Sequence, residues 1–248
     1  MLVGSEAPVA FFAYPDKPSV LSPPRCEIHA LAAPEEDIVG ALEALAEELG
    51  APQDAPIQER DKHPPPSGEA ISPEAAAAAV GALLPEGAIV VDEALTAAAA
   101  FIARTRGAAP HDLLQVTGGA IGIGLPLATG AAVARPDRKV ICVQADGSAM
   151  YTVQALWTQA REGLDVTTIL LNNRSYAILK YELANVGSGE AGRGALDMME
   201  LDRPTLDWVG LARGMGVEAA RAETLKELER HFAAGLRSEG PYLIDLVL

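Results

Sequence analysis

The chain has 248 residues, 49% of them apolar, and a formal charge of -15; that is enough for one large domain, or one domain and part of another, around a sizeable core. The acidic balance excludes nucleic acid or an anionic membrane as the main partner, so any phosphate must be met by backbone N–H groups, helix ends or a metal. Two cysteines without metal-ligand spacing, Cys26 and Cys142, and no signal-peptide pattern point to the cytoplasm, and the longest apolar stretch, Gly/Ala-rich and broken by Pro126, is too short for a membrane span.

In chain order, "PVAFFAY" and "CEIHALA" read as short strands. "PEEDIVGALEALAEELG" reads as an amphipathic helix with Ile38, Leu42, Leu45 and Leu49 on one face and Gly50 as its stop. So few elements in residues 1–50 suggest the tail of a domain. Residues 51–70, "APQDAPIQERDKHPPPSGEA", are aperiodic and rich in proline and charge, which predicts a linker. Residues 71–248 form a second block. Ser72-Pro73-Glu74 opens a helix, with Ser as N-cap and Pro at the first helical position. "GAIVVDEA" follows as a strand and "LTAAAAFIARTR" as a helix. "TGGAIGIGLPLATGAAVARP" reads as a glycine-punctuated helix, "KVICVQAD" as a buried strand and "AMYTVQALWTQAREG" as a helix ended by Gly163. "VTTILLNN" is another buried strand. Two helices, "TLDWVGLARGMG" and "TLKELERHFAAGLRSEG", precede the closing strand "YLIDLVL". Strands that alternate with helices and are almost continuously apolar predict an α/β fold, a parallel sheet covered by helices on both faces. No internal repeat is visible.

The strand "KVICVQAD" ends at Asp146 and the strand "VTTILLNN" at Asn173, with a helix between them. A strand–helix–strand crossover sets two parallel strands side by side with their carboxyl ends at one edge, where ligands of open α/β sheets bind. A carboxylate and an amide oxygen there are hard donors suited to Mg²⁺. Gly147 and Ser148 begin a helix, so their N–H groups could meet a diphosphate bridged to that metal. Asp-Gly-Ser is also a common turn and Asn-Asn a common strand end, so the residues alone leave a plain turn equally open. "GGAIGIG" lacks the G-x-G-x-x-G dinucleotide fingerprint, which disfavours a nicotinamide dehydrogenase; its glycines fit close packing or backbone approach to a ligand.

The stretch "ADGSAMYTVQALWTQAREGLDVTTILLNN" resembles the cofactor motif of thiamine diphosphate enzymes. "GGAIGIGLPLATGAAVARPDRKV", "ALWT", "NNRSYAILK" and "GPYLIDLVL" are similar to the acetolactate synthase and benzoylformate decarboxylase group. The resemblance covers Ser72 to Leu248 as the diphosphate-binding domain, and more weakly residues 1–50 as the end of a central domain. It implies Mg²⁺ on Asp146, the Asn173 side chain and the Ser175 carbonyl. Gly147 and Ser148 would meet the diphosphate, with Tyr176, Ala177 and Ile178 nearby. From the strand end Asp92–Thr96, Glu93, Leu95 and Thr96 would face the cofactor, Leu95 standing where the benzoylformate type has a polar residue. Gly119 would offer its carbonyl to the aminopyrimidine, beside Ala120, and Ile121 would bend the cofactor into its reactive shape.

Ala145 departs from the motif, which has Gly there; strand-like dihedrals tolerate the methyl group. The glutamate that activates the aminopyrimidine in this family belongs to an N-terminal domain without a counterpart here. The resemblance therefore implies the cofactor-binding half of an enzyme acting on 2-oxo acids, as a fragment or as one subunit of a split enzyme. Its chemistry would be decarboxylation followed by carboligation, or decarboxylation alone; a non-catalytic thiamine diphosphate-binding module is the reading from another class. A homodimer or tetramer is expected by resemblance, and a flavin (FAD) cannot be inferred. His63 in the linker and His231 on a late helix read as structural or solvent-facing. His111 precedes the glycine stretch and is open to either role. "AILKYELANVGSGEAGRGALDMMELDRP" reads as a mobile cover, with Met198 and Met199 as pocket or packing residues.

Overall fold

The computed structural model describes residues 1–52, 54, 70–186 and 191–248; nearly all of the predicted linker, His63 included, lies outside the described residues. The chain divides into two compact units, Met1–Glu59 with Glu182–Glu190, and Arg60–Tyr181 with Ala191–Leu248.

In the smaller unit β1 (Leu2–Val3) pairs in parallel with β2 (Ala30–Ala32), the shortened form of "CEIHALA". Helix α1 (Ile38–Glu48) follows, its N-cap Asp37 accepting from the Gly40 N–H. Two expectations are corrected here. "PVAFFAY" is not a strand: Val9 makes an isolated bridge to Val20, and Phe11 and Phe12 are exposed, packed edge-on against each other. The apolar face of α1 is not a core face, since Leu42 and Leu49 are exposed and only Ile38 and Leu45 are half-buried. Ile38 instead packs over Gly4, where a Cβ would overlap its Cδ1.

The larger unit runs α2 (Pro73–Leu83), β3 (Ile89–Glu93), α3 (Ala98–Thr105), β4 (Asp112–Gln115), α4 (Gly124–Ala134), β5 (Val140–Ala145) and the single turn α5 (Asp146–Ala149). It continues through α6 (Ala155–Glu162), β6 (Val166–Asn172), α7 (Ala177–Asn185, its end assigned to the smaller unit), α8 (Arg193–Met198), α9 (Trp208–Gly214), β7 (Glu218–Ala222), α10 (Leu225–Arg237) and β8 (Tyr242–Val247). The strands form one all-parallel sheet in the order β4-β3-β5-β6-β8-β7. Alternate residues of the central strands supply the cores on its two faces. Val90, Ile141, Val143, Ile169 and Ile244 face Phe101 and Phe232. Val91, Cys142, Leu170 and Leu243 face Leu125, Leu156 and Trp208. The predicted α/β sheet covered on both faces is therefore the observed one.

The differences are local and have physical reasons. Strands β4 and β7 were not expected; both are edge strands, and three of the four β4 residues are exposed. The glycine-punctuated helix begins only at Gly124, because Gly118, Gly119 and Gly122 take φ of 60°, 65° and 91°, conformations that no right-handed helix contains. The helix expected after Ala149 starts at Ala155, after a run of turns. The expected cover after Asn173 contains helices α7 and α8, with 187–190 outside the described residues. At the amino edge of the sheet two cations staple successive strand starts. Arg138 donates to the Gly87 and Ala88 carbonyls and pairs with Asp112; Lys139 pairs with Asp165 and donates to the Gly235 carbonyl.

Candidate functional site

Strand order reverses between β3 and β5: the chain moves outward from β3 to β4, then crosses back to β5 and on to β6. A crevice opens at the carboxyl ends of such a pair. There a cleft is lined by Leu95, Thr96, Ile121, Ala145, Asp146, Gly147, Ser148, Tyr151, Asn173, Ser175, Tyr176, Ala177, Ile178 and Leu179. Leu95 enters from the end of β3 with φ +51°, a left-handed conformation costly for a side chain with a Cβ.

The acidic wall is Asp146, the first residue of α5. It is 1% exposed, and among the described residues no Lys, Arg or His pairs with it. Its Oδ1 accepts from the Gly147 N–H at 2.8 Å and its Oδ2 from the Arg174 N–H at 2.7 Å. Burial pushes its pKa up to about 6, against the opposing pull of these N–H groups. Arg174, at φ +55°, makes the turn that carries Asn173 and Ser175 past Asp146. Asn173 Oδ1 accepts from the Ser175 N–H at 2.9 Å.

The loop is braced from behind. Ser175 bridges Glu200, the Tyr176 N–H and Ser175 Oγ donate to the Met199 carbonyl, and the Leu201 N–H donates to the Arg174 carbonyl. Asn172, at the end of β6, points the other way, donating to the fully buried Asp245, which also accepts from Arg221. Gly147 packs flat under Tyr176, with its would-be Cβ 2.6 Å from the ring.

A buried carboxylate with no cationic partner, beside an amide oxygen and a backbone carbonyl, has the oxygen-donor chemistry of a Mg²⁺ site. The N–H groups at the start of α5 and the apolar walls Leu95, Ile121 and Tyr176 suit a ligand with one anionic and one aromatic end. The residues present thus fit a metal-bound diphosphate cofactor. Among the described residues no cluster of three His, Cys, Asp or Glu forms a metal centre of another kind.

The structure brings together Leu95, Thr96, Ile121, Asp146, Gly147, Ser148, Asn173, Ser175, Tyr176, Ala177 and Ile178. Three expected residues are elsewhere. Glu93 is buried beneath the glycine turn, where Gly122 and Gly124 N–H groups occupy its carboxylate. Gly119 and Ala120 are exposed on that turn and do not line the cleft. Met198 is exposed and Met199 buried, and neither lines it. His111 borders a separate hollow near Arg106 and bonds the Ala109 carbonyl. His231, on α10, lies beside Arg230 and Tyr242. Tyr151 and Leu179 line the cleft unexpectedly; both are exposed, Tyr151 on a segment read as helix and Leu179 on the one read as a mobile cover, so pattern alone could not mark them.

Residues 93–246 match the family described as thiamine pyrophosphate enzyme, C-terminal TPP binding domain. Along its whole length the chain is 50% identical to 48% of a Mycobacterium tuberculosis protein that carries a provisional acetolactate synthase large subunit name. It is 35% identical to benzoylformate decarboxylase of Pseudomonas aeruginosa over 85% of the chain and 39% of that protein. The solved thiamine diphosphate-dependent 4-hydroxybenzoylformate decarboxylase of Rhodococcus jostii superposes with a TM-score of 0.70 at 30% identity, covering 87% of this chain and 40% of that one. The chain thus spans about half the length, or less, of the curated relatives it matches.

Proposed function

Since this chain belongs to the thiamine pyrophosphate enzyme family and carries its C-terminal cofactor-binding domain, we propose that residues 71–248 hold thiamine diphosphate through Mg²⁺ in the cleft at the carboxyl edge of the sheet. In this reading Asp146, the Asn173 side chain and the Ser175 carbonyl bind the metal. The Gly147 and Ser148 N–H groups and the Thr96 hydroxyl meet the diphosphate. Leu95, Ile121, Tyr176, Ala177 and Ile178 form the walls. Residues 1–50 are the end of a central domain. The single observation that carries the reading is the convergence of Asp146, Asn173 and Ser175 with apolar walls in one cleft at the point where strand order reverses.

Bound thiamine diphosphate supplies a carbon nucleophile and an electron sink for loss of carbon dioxide from a 2-oxo acid. The chain's own residues orient it and keep water from the apolar walls. The proposed whole enzyme is acetolactate synthase-like, joining the decarboxylated fragment to a second carbonyl, with the activating Glu supplied by a pyrimidine-binding domain in cis or on another subunit. The benzoylformate decarboxylase-like alternative is favoured by the likeness to the Pseudomonas and Rhodococcus decarboxylases; it ends in an aldehyde, so product analysis separates the two.

Titration calorimetry of thiamine diphosphate, with and without Mg²⁺, tests the cofactor reading. Metal-dependent binding is expected in the wild type and its loss in Asp146→Ala. Binding that ignores Mg²⁺ or survives the substitution would overturn the assigned metal site.

A further inference from the structure

Glu93 and Gln144 stand directly opposite each other on the neighbouring strands β3 and β5. Both are almost wholly buried, and so is Ser148. Glutamine is a costly choice for the run "VICVQ", whose default occupant is apolar, because a buried amide must find partners for its polar atoms. It finds them on both sides. Gln144 Nε2 donates to Glu93 Oε2 at 3.0 Å and to Ser148 Oγ at 2.7 Å. Glu93 Oε2 also accepts from the Gly124 N–H at 2.5 Å, and its Oε1 accepts from the Gly122 N–H. The Gly122 carbonyl in turn accepts from Thr152 Oγ1 at 2.6 Å. Gly124 is pressed onto this pair so closely that a Cβ there would overlap Gln144 Oε1 and lie 2.6 Å from Glu93 Oε2.

We propose that Glu93 and Gln144 are positioning residues: a buried relay that locks the glycine turn, Gly119–Gly124, to the Asp146–Ser148 turn at one fixed spacing. The proposal rests on the cofactor reading for its ligand, whose two ends meet those two turns, but its geometry stands without it. Neither side chain touches the cofactor. Each acts through a group it holds, Glu93 through the Gly122 and Gly124 N–H groups, Gln144 through the Ser148 hydroxyl. The relay gives a two-ended ligand a ready-made separation instead of one that binding must organise, which lowers the ordering cost of association.

Gln144→Met tests this, since it keeps volume and removes the amide that joins Glu93 to the Ser148 hydroxyl, with its longer bond to the Ala145 carbonyl. Amide hydrogen exchange on the free chain is the first readout. Gly122 and Gly124 should exchange about tenfold faster, the effect of losing one buried hydrogen bond, while Leu170 on β6 stays unchanged. Equal exchange at the glycines, or acceleration spread through β6, overturns the proposal. Calorimetry is the second readout. Thiamine diphosphate with Mg²⁺ should bind about tenfold more weakly, whereas inorganic pyrophosphate with Mg²⁺, which does not reach the glycine turn, should lose less. Equal weakening of both, or of neither, counts against the relay. A wild type that binds no thiamine diphosphate sinks the cofactor reading, and the exchange arm still decides the relay. Glu93→Gln is the second variant: its amide must turn an NH₂ towards one of the donors it now accepts from, so the same glycine amides should again be the ones that loosen.

Discussion

A carboxyl group buried without a cation, as Asp146 is, favours its neutral form, and its pKa is pushed up to about 6. Because the folded value lies above the ordinary 3.8, the group's contribution to stability is fully present below that ordinary value and is lost as pH rises through 6. The difference is on the order of 2–3 kcal/mol. Urea unfolding between about pH 4 and 7 should therefore show the free wild type losing stability relative to Asp146→Asn as pH rises; parallel curves would contradict the raised value. A bound cation reverses the preference. Mg²⁺-dependent affinity for thiamine diphosphate should fall about tenfold per pH unit below about pH 6, as the metal has to displace a proton; calorimetry at three pH values measures the slope. Gly147 makes a purely steric case beside it. Alanine there meets Tyr176 Cδ1 at 2.6 Å and should cost about 1–3 kcal/mol, while adding Tyr176→Ala should restore part of it in a double-mutant cycle. At this scale Asp146 and Asn173 were legible because strand period and crossover length fix where a strand end falls. The placement of Glu93 was not, because the letters of a strand end do not say whether a carboxylate meets a ligand or a backbone turn folded over it.

Helices and strands were legible to the extent that burial wrote a pattern into them. The central strands β5, β6 and β8 are shielded on both faces and read as apolar runs. The edge strands lack that signal: β7 reads Glu-Ala-Ala-Arg-Ala, without a β-branched or aromatic residue, and pairs on one side only, with β8. The glycine stretch misled in the opposite direction, as its small residues suit a helix until positive φ intervenes. The Ser72 cap was readable because its side chain does the work, whereas the Thr224 cap was not singled out. Ser72 accepts from the Ala75 N–H, and Thr224 from the Glu227 N–H at 3.2 Å, while Glu227 reaches back to the Glu223 N–H at 2.9 Å. Thr224→Ala should cost about 1 kcal/mol, read from the denaturant midpoint at unchanged slope. No change would mean that the α10 face, anchored by Leu228 and Phe232, holds the helix start unaided.

For the molecule as a whole, the parallel sheet and its covering helices were legible because alternation of strand and helix leaves few other topologies. The smaller unit joins residues far apart in sequence, a grouping that no local pattern marks. Among the described residues no helix is long and apolar enough to cross a membrane. On the proposed reading these 248 residues with thiamine diphosphate, Mg²⁺ and pyruvate or benzoylformate should release carbon dioxide only at background rate. Adding the N-terminal half of the Mycobacterium tuberculosis relative should raise it; brisk release by the chain alone would place the activating group within it.

The all-parallel arrangement has one more consequence. Every strand starts at the rim stapled by Arg138 and Lys139 and finishes at the rim that carries the cleft. The staples and the cleft thus occupy opposite poles of the same sheet. Substitutions at the stapled rim can therefore shift stability without touching any residue that lines the cleft.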